Sequence, residues 1–336
     1  METSRTLVYK ALAYDNPARA PRDLWILPWA RMHYGPQVDE LLARYPSDFA
    51  GAPAVGREHR VQGDEYGVGV FVDEWGCVFH NMQAGVIGEV KEAAIPTWAA
   101  LDDLRVPLER LTFDRQAVND FCRVSDKFVT ASCCPRPFER LQFLRGSEQL
   151  YYDLGEQSEE LSELLRRVHG FYMQELELWA NTDVDALTFM DDWGAQSRLL
   201  ISPRQWRKLF KPLYKDYIDL AHAHGKKIFM HSDGFTMDII PDLIELGLDA
   251  INTQLFTMDI EELGRRFRGK LTFWGEIDRQ NLLPFGTTED VERAVRRVYD
   301  ALYCQGGCIA QCEFSAGGKP ENVMKVYETW EKLVRN

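Results

Sequence analysis

Short runs of β-branched and aromatic residues alternate with longer stretches of helical periodicity in this chain, and this alternation constrains the fold more than any other feature. Strands are predicted at residues 185–190, 227–231, 249–253, 271–275 and 307–312, and a helical stretch follows each of them. Repeated strand–helix units favour a parallel sheet whose connecting helices lie outside it. The second half of the chain therefore predicts an α/β architecture.

Three further strands are predicted earlier, at residues 23–27, 48–52 and 127–131. Eight strand–helix units predict closure into a single (β/α)₈ TIM barrel, and 336 residues suit one such domain over 1–336. The segment 66–95 breaks the alternation because it is rich in Gly, Val and aromatic residues. We expect it to form a β-hairpin insertion, at about 60–95, after the second strand.

Local signals place several helix ends. Ser202-Pro203 predicts the start of a helix that reaches about His224, and Thr287–Asp290 has the pattern of a capping box. Pro320 predicts the start of a terminal helix that ends near Leu333.

Charge and hydropathy exclude some classes of function. The formal net charge is −13, and no Lys/Arg cluster forms the basic face that nucleic acid requires. No apolar run is long enough to predict a membrane span, and the first residues do not resemble a signal peptide. We therefore expect a cytoplasmic enzyme that acts on a small-molecule substrate, with its seven cysteines as free thiols, a few of them available as ligands.

The active site of a parallel barrel lies at the carboxyl ends of its strands, so polar residues at strand ends are the candidates. His231 and Asp233 are two residues apart and would leave one face of a strand. A His and a carboxylate placed in this way could hold a cation or act as an acid–base pair, whereas Asp233 could instead cap the following helix.

Other strand ends supply further candidates. Asp48, Asp191 and Glu276 are predicted to be catalytic, and Asp192 to bind substrate. Cys312 ends the last strand, where a thiolate could bind zinc, although a buried structural thiol is the alternative. Aromatic residues cluster near the predicted strand ends and could pack or line a substrate pocket; the candidates for pocket walls are Trp29, Trp193, Phe235 and Trp274.

Taken together, these segments resemble the uroporphyrinogen decarboxylase superfamily. The motifs that carry the resemblance are Tyr45-Pro-Ser-Asp-Phe49, Asp192-Trp-Gly194, Ile201-Ser-Pro203, Phe210-Lys-Pro-Leu-Tyr214, His231-Ser-Asp-Gly234, residues 245–252, Trp274-Gly-Glu-Ile-Asp278, residues 284–288 and Pro320-Glu-Asn-Val323. The resemblance covers most of the chain and implies a (β/α)₈ barrel.

One branch of the superfamily comprises the metal-independent decarboxylases of uroporphyrinogen. Their N-terminal motif binds substrate carboxylates with two arginines, and here only the second is matched, by Arg31. Their catalytic aspartate is matched by Asp48, while Cys312 replaces their C-terminal histidine. A decarboxylase of a porphyrinogen or a smaller aromatic acid is therefore an alternative function.

The other branch, the zinc-dependent methylcobamide:thiol methyltransferases, binds its metal through His-x-Cys and a second Cys. His231 and Cys312 match the outer ligands, and Asp233 replaces the middle one, with Glu276 available to complete the shell. This resemblance implies a zinc enzyme that moves a methyl group between a corrinoid and a thiol or folate, as in O-demethylation, with a corrinoid protein as a potential partner. A non-catalytic corrinoid or tetrapyrrole binder is the further alternative.

Overall fold

The computed structural model describes residues 2–334, and its centre is a barrel of parallel strands. The eight strands of the barrel are β1 (Arg22–Ile26), β2 (Phe49–Gly51), β6 (Phe128–Thr130), β7 (Ala186–Met190), β8 (Lys227–Ser232), β9 (Ala250–Thr253), β10 (Thr272–Trp274) and β11 (Cys308–Phe314). Their spatial order is β1-β11-β10-β9-β8-β7-β6-β2. The barrel closes between β2 and β1, where the Asp48 amide donates to the Arg22 carbonyl over 2.8 Å.

The predicted (β/α)₈ fold is confirmed, and every predicted strand lies within two residues of an observed one. The strands are short and both faces are buried, as in a sheet enclosed by helices. Inside the barrel, Phe49, Phe128, Phe229 and Trp274 pack together. Val8 closes the bottom of this inner core from the first helix.

Helices surround the barrel. They are α1 (Ser4–Leu12), α2 (Pro28–Arg44), α3 (Arg115–Val124), α4 (Pro137–Arg145), α5 (Ser147–Glu156), α6 (Glu159–Ala180), α7 (Pro203–Leu209), α8 (Lys211–Ala223), α9 (Ile240–Leu246), α10 (Ile260–Phe267), α11 (Leu282–Phe285), α12 (Thr288–Leu302) and α13 (Pro320–Leu333). Short 3₁₀ helices lie at Trp98–Asp103, Leu108–Leu111 and Leu255–Thr257.

Most predicted helix ends are observed. The Thr287 capping box precedes α12, and the terminal helix spans Pro320–Leu333. The single helix predicted from Ser202 to His224 is instead two helices that meet at Phe210. Pro212 lies in the first turn of α8, where its missing N–H costs least, and this explains the break.

The predicted insertion is an antiparallel sheet of three strands, β3 (Gly69–Val72), β4 (Val78–Asn81) and β5 (Glu89–Glu92). It follows β2, as expected, and its residues lie over the carboxyl ends of the barrel strands. Among residues 2–334, no helix is long and apolar enough to cross a membrane. All seven cysteines are free thiols.

Candidate metal centre

A cavity of about 870 Å³ lies between the barrel mouth and the inserted sheet. Its barrel side comprises Met190, Asp192, His231, Asp233, Arg279 and Glu313, which follow or end four different strands. The inserted sheet contributes the opposite wall, including Phe71, Trp75 and Phe79. A cavity of this size, apolar on one side and polar on the other, is typical of small-molecule sites.

His231 is oriented by Asn252, its register partner on β9. The Asn252 side-chain amide donates to the Trp274 carbonyl, so its Oδ1 atom is left to accept from His231 Nδ1 over 2.6 Å. In the neutral imidazole, a proton fixed on Nδ1 leaves the lone pair on Nε2. His231 therefore presents a metal-ligating nitrogen at the barrel mouth.

Two carboxylates converge on that nitrogen. The Nε2 atom of His231 lies 3.6 Å from Asp192 Oδ1 and 3.5 Å from Asp233 Oδ1. One ligand atom from each residue lies within 4.8 Å of the other two. Asp233 Oδ1 is buried and accepts no hydrogen bond from any described group.

These donors fit a divalent cation. An imidazole nitrogen and two carboxylate oxygens are ligands that zinc accepts, and a buried oxygen without a partner is costly unless a cation or water satisfies it. Three protein ligands facing a cavity would leave a coordination position open to substrate. The group contains His231 and Asp233, as predicted for the metal, together with Asp192, which was expected to bind substrate.

The electrostatics of Asp192 follow from its surroundings. Burial raises the pKa of its carboxyl to about 6, and the carboxylate of Asp233 adds to this effect, while His231 opposes it. The proton on Asp192 therefore competes with a cation in mildly acidic solution.

Arg279 joins three carboxylates beside this group. Its guanidinium donates to Glu313 Oε1 over 2.6 Å, pairs with Asp233 Oδ2 and lies 3.3 Å from Glu276 Oε1. Because Arg279 holds Oδ2 of Asp233, the other oxygen remains directed at His231. Burial raises the pKa of Glu276 to about 8 even though Arg279 opposes the shift.

Glycine permits the close contact between the loops that carry Asp192 and Asp233. The Gly194 amide donates to the Asp233 carbonyl over 3.0 Å. A Cβ atom on Gly234, whose φ is +75°, would lie 1.9 Å from the Gly194 carbonyl oxygen. Any side chain there would push the two loops apart.

Cys312 is not part of the group, which corrects the ligand set expected from the sequence. Its thiol is buried between the barrel and α13, 3.7 Å from the Tyr327 hydroxyl. Side chains alternate along a strand, so Gln311 and Glu313 face the interior and mouth while Cys312 faces outward. Glu276 also lies outside the three-residue group and contacts Arg279 instead.

Asp191 and Trp193 have structural positions rather than the predicted positions in the site. Asp191 is buried and accepts hydrogen bonds from the Phe138 and Glu139 amides at the start of α4, and from the Tyr214 hydroxyl. Trp193 is buried against Phe138, with ring centroids 4.3 Å apart.

Asp48 lies at the opposite end of the barrel from the cavity. It precedes β2 instead of ending it, and it accepts hydrogen bonds from Arg19, Ser4 and the Arg22 amide. Arg31 lies on α2, pairs with Asp39 and is 46% exposed. Neither residue is brought to the cavity: Asp48 stands at the amino end of its strand, whereas the cavity lies at the carboxyl ends.

The remaining predicted aromatic walls also pack elsewhere. Trp274 lies inside the barrel, where its indole N–H donates to Asp23 Oδ2 over 3.0 Å. Trp29 stacks on His33, and Phe235 is partly buried against the hydrophobic core. The aromatic wall of the cavity comes from the inserted sheet instead.

Sequence reasoning missed Asn252 and Arg279 as site residues. Asn252 lies in the segment 245–252 that carried the family resemblance, and its position at a strand end was a usable signal. Arg279 follows β10 by five residues, in a loop whose path cannot be read from periodicity.

One solved structure shares this architecture over nearly its whole length. Among solved structures, a methyltransferase from Methanosarcina mazei aligns over 99% of this chain and 99% of its own, with a TM-score of 0.69 and 15% identity. A B12-independent methionine synthase from Shewanella sp. W3-18-1 aligns over 96% and 95%, with a TM-score of 0.49 and 13% identity. A search with the sequence found no significant match among curated proteins.

The profile of one enzyme family, uroporphyrinogen decarboxylase (URO-D), matches residues 71–333. The match extends from the inserted sheet to the terminal helix and includes Asp192, His231, Asp233 and Arg279. The chain therefore belongs to the uroporphyrinogen decarboxylase (URO-D) family.

Proposed function

We propose that this protein is a metal-dependent methyltransferase that moves a methyl group between a corrinoid and a small nucleophile. The observation that carries the proposal is the convergence of His231 Nε2, Asp192 and Asp233 at the mouth of the cavity, with the Asp233 Oδ1 atom left without a partner in the described structure. The M. mazei neighbour, which is named a methyltransferase, adds a likeness of fold.

The residues of the chain prepare the donor atoms. Asn252 fixes the tautomer of His231, and Arg279 holds one oxygen of Asp233 so that the other faces the imidazole. A divalent cation, zinc by preference, would act there as a Lewis acid that lowers the pKa of a bound thiol or hydroxyl. The apolar wall around Trp75 and Phe79 would limit the access of water to the methyl group.

The proposed ligand set is one nitrogen and two oxygens, without sulfur. Carboxylate oxygens donate less electron density than thiolates, so the cation would be a stronger Lewis acid than in a His-Cys-Cys site. Such a cation could activate an oxygen substrate, such as the ether oxygen that departs in O-demethylation, as readily as a thiol.

The metal-independent decarboxylase has less support in the structure. It relied on Asp48 and Arg31, and both lie away from the cavity. Each guanidinium that lines the cavity already has carboxylate partners: Arg110 with Glu175, Arg136 with Glu139, Arg140 with Asp73, and Arg279 with Glu313. A porphyrinogen with many carboxylates would meet no free guanidinium among these lining residues.

Metal analysis tests the first half of the proposal. Protein purified without chelators should contain about one equivalent of metal, and His231→Ala should lose it. Cys312→Ser is the matched control because it changes a buried thiol that lies outside the group, and this variant should keep the metal. Retention of metal in His231→Ala, or its loss in Cys312→Ser alone, would contradict the proposed centre.

Corrinoid chemistry tests the second half. With methylcobalamin and a nucleophile, the cobalt–carbon bond should break heterolytically, the methyl group should appear on the nucleophile, and the corrin spectrum should become that of cob(I)alamin. The rate should depend on the metal and fall in His231→Ala. If metal-loaded protein fails to demethylate methylcobalamin with every thiol, hydroxyl and folate acceptor tried, the methyltransferase proposal is refuted but the metal site is not.

A further inference from the structure

A second and much smaller cavity, of about 50 Å³, lies beside the first one. The loops after β9 and β10 form it, together with Gln196 from the loop after β7. Arg279 contributes to the walls of both cavities and so separates them. The volume suits one ion with a water or two, and it excludes an organic substrate.

The carboxylate of Glu276 indicates that the small cavity holds an occupant. This side chain is 2% exposed, and its Oε1 atom lies 3.3 Å from Arg279 Nε. Its Oε2 atom is buried and has no hydrogen-bond partner among the described residues. Because Glu276 lines the small cavity and not the large one, that space is where a partner could lie.

The charge balance around Arg279 is negative. One guanidinium faces the carboxyl groups of Glu276, Asp233 and Glu313, so the cluster carries two excess negative charges when Glu276 is ionised. A cation at the His231 group would contact Asp233 directly but would not contact Glu276. An additional positive charge beside Glu276 would relieve the remaining excess.

The other polar groups of the cavity define the kind of cation. Gln196 and Asn281 supply neutral amide oxygens, while those of Gln254 and Gln280 also accept hydrogen bonds, from the Gly234 amide over 3.1 Å and from Gln196 Nε2 over 3.2 Å. Asp278 is already engaged, because its Oδ1 atom accepts from the Gln280 and Asn281 amides over 2.9 and 2.8 Å. Calcium and magnesium sites gather several free carboxylates, whereas carbonyl oxygens with a single carboxylate suit a larger monovalent ion.

We propose that the small cavity binds one monovalent cation of the potassium class, with Glu276 Oε2 as its charged ligand. The inference goes beyond the proposed function, because it depends only on Glu276 and its cavity and holds whether or not the His231 group carries a metal.

The test uses the full chain, first without added metal or corrinoid. Thermal unfolding is followed in potassium chloride, rubidium chloride and choline chloride at one ionic strength. At ten times the dissociation constant, a bound ion should raise Tm by about 2 °C for a chain of this length. The rise should saturate with potassium or rubidium and be absent with choline, which is too large for the cavity.

Two variants separate this site from general salt effects. Glu276→Gln removes the charge and should weaken the potassium effect at least tenfold, while Glu58→Gln, which changes an exposed carboxylate, should leave it intact. Crystals soaked in rubidium should give an anomalous peak beside Glu276. Equal Tm values in potassium and choline, together with no rubidium peak, would overturn the proposal and leave Glu276 protonated or hydrated.

Discussion

The carboxyl group of Glu276 allows the electrostatics of the barrel mouth to be tested quantitatively. Burial raises its pKa from 4.5 to about 8. This difference of roughly 3.5 corresponds to about 5 kcal/mol of free energy against ionisation in the folded protein, at 1.36 kcal/mol for each pKa unit. Glu276→Gln keeps the shape of the side chain and removes the charge, so it isolates this contribution.

The direction in which the free energy of unfolding changes with pH follows from proton binding. Between pH 4.5 and about 8, folded Glu276 holds a proton that the unfolded chain has released. The free energy of unfolding therefore falls as the pH rises through this window and loses no more above it. Glu276→Gln lacks this dependence, so its stability relative to the natural protein should increase with pH by up to about 5 kcal/mol.

Urea denaturation of both proteins at about pH 5, 7 and 9 measures the effect, provided that unfolding is two-state and reversible. Choline salts should be used throughout, because a monovalent cation beside Glu276 would favour its ionised form. Glu58→Gln is the control for the exposed case and should show no such trend. A difference between the natural protein and Glu276→Gln that stays constant over the whole pH range would refute the reasoning.

Other predictions concern neighbouring groups. Metal loading should decrease at pH values below about 6, because the pKa of Asp192 is raised to about 6 and its proton competes with the cation. Equilibrium dialysis against zinc measures the loading. Loading that does not change with pH between about 5 and 7 would count against Asp192 as a ligand. Asp191→Ala should destabilise the fold by about 2–4 kcal/mol in urea, because the Phe138 and Glu139 amides lose their acceptor, yet the folded variant should keep its metal. Asn252→Leu should lower metal affinity about 10–100-fold, because the proton of His231 is then no longer fixed on Nδ1. Competition with a chelator measures the affinity. An unchanged value would show that Asn252 does not orient the ligand.

The fold could be predicted because its signals are local and repeated. Each barrel strand is a short apolar run, and stop signals such as Gly225 and Gly247 adopt positive φ at helix ends. Elements that depend on distant contacts were harder to predict. Helix α4 begins where Asp191, some fifty residues later, accepts two of its amides, and α2 contains Pro36 and a kink at Tyr34 that disrupt its periodicity.

The site was predicted in part, because alternation along one strand is visible in the sequence whereas register between strands is not. His231 lies on β8 and Asp233 directly follows the strand, and the structure confirms that they are close together. The register that places Asn252 beside His231 depends on pairing between β8 and β9. Arg279 reaches Asp233 and Glu313 from a loop, and no periodicity describes that path.

The last barrel strand shows how much a difference of one residue matters. The family resemblance selects Cys312 as a ligand, but the side chain that enters the cavity from β11 is the next one, Glu313. Alternate side chains of a strand face opposite sides. The group that faces the cavity is therefore a carboxylate that binds Arg279, and not the soft thiol of Cys312. The group of Asp192, His231 and Asp233 then offers an imidazole and oxygen donors, with no thiolate among them. If a metal binds there, its chemistry is determined by the hard ligands Asp192 and Asp233, and the nucleophile it activates need not be a thiol.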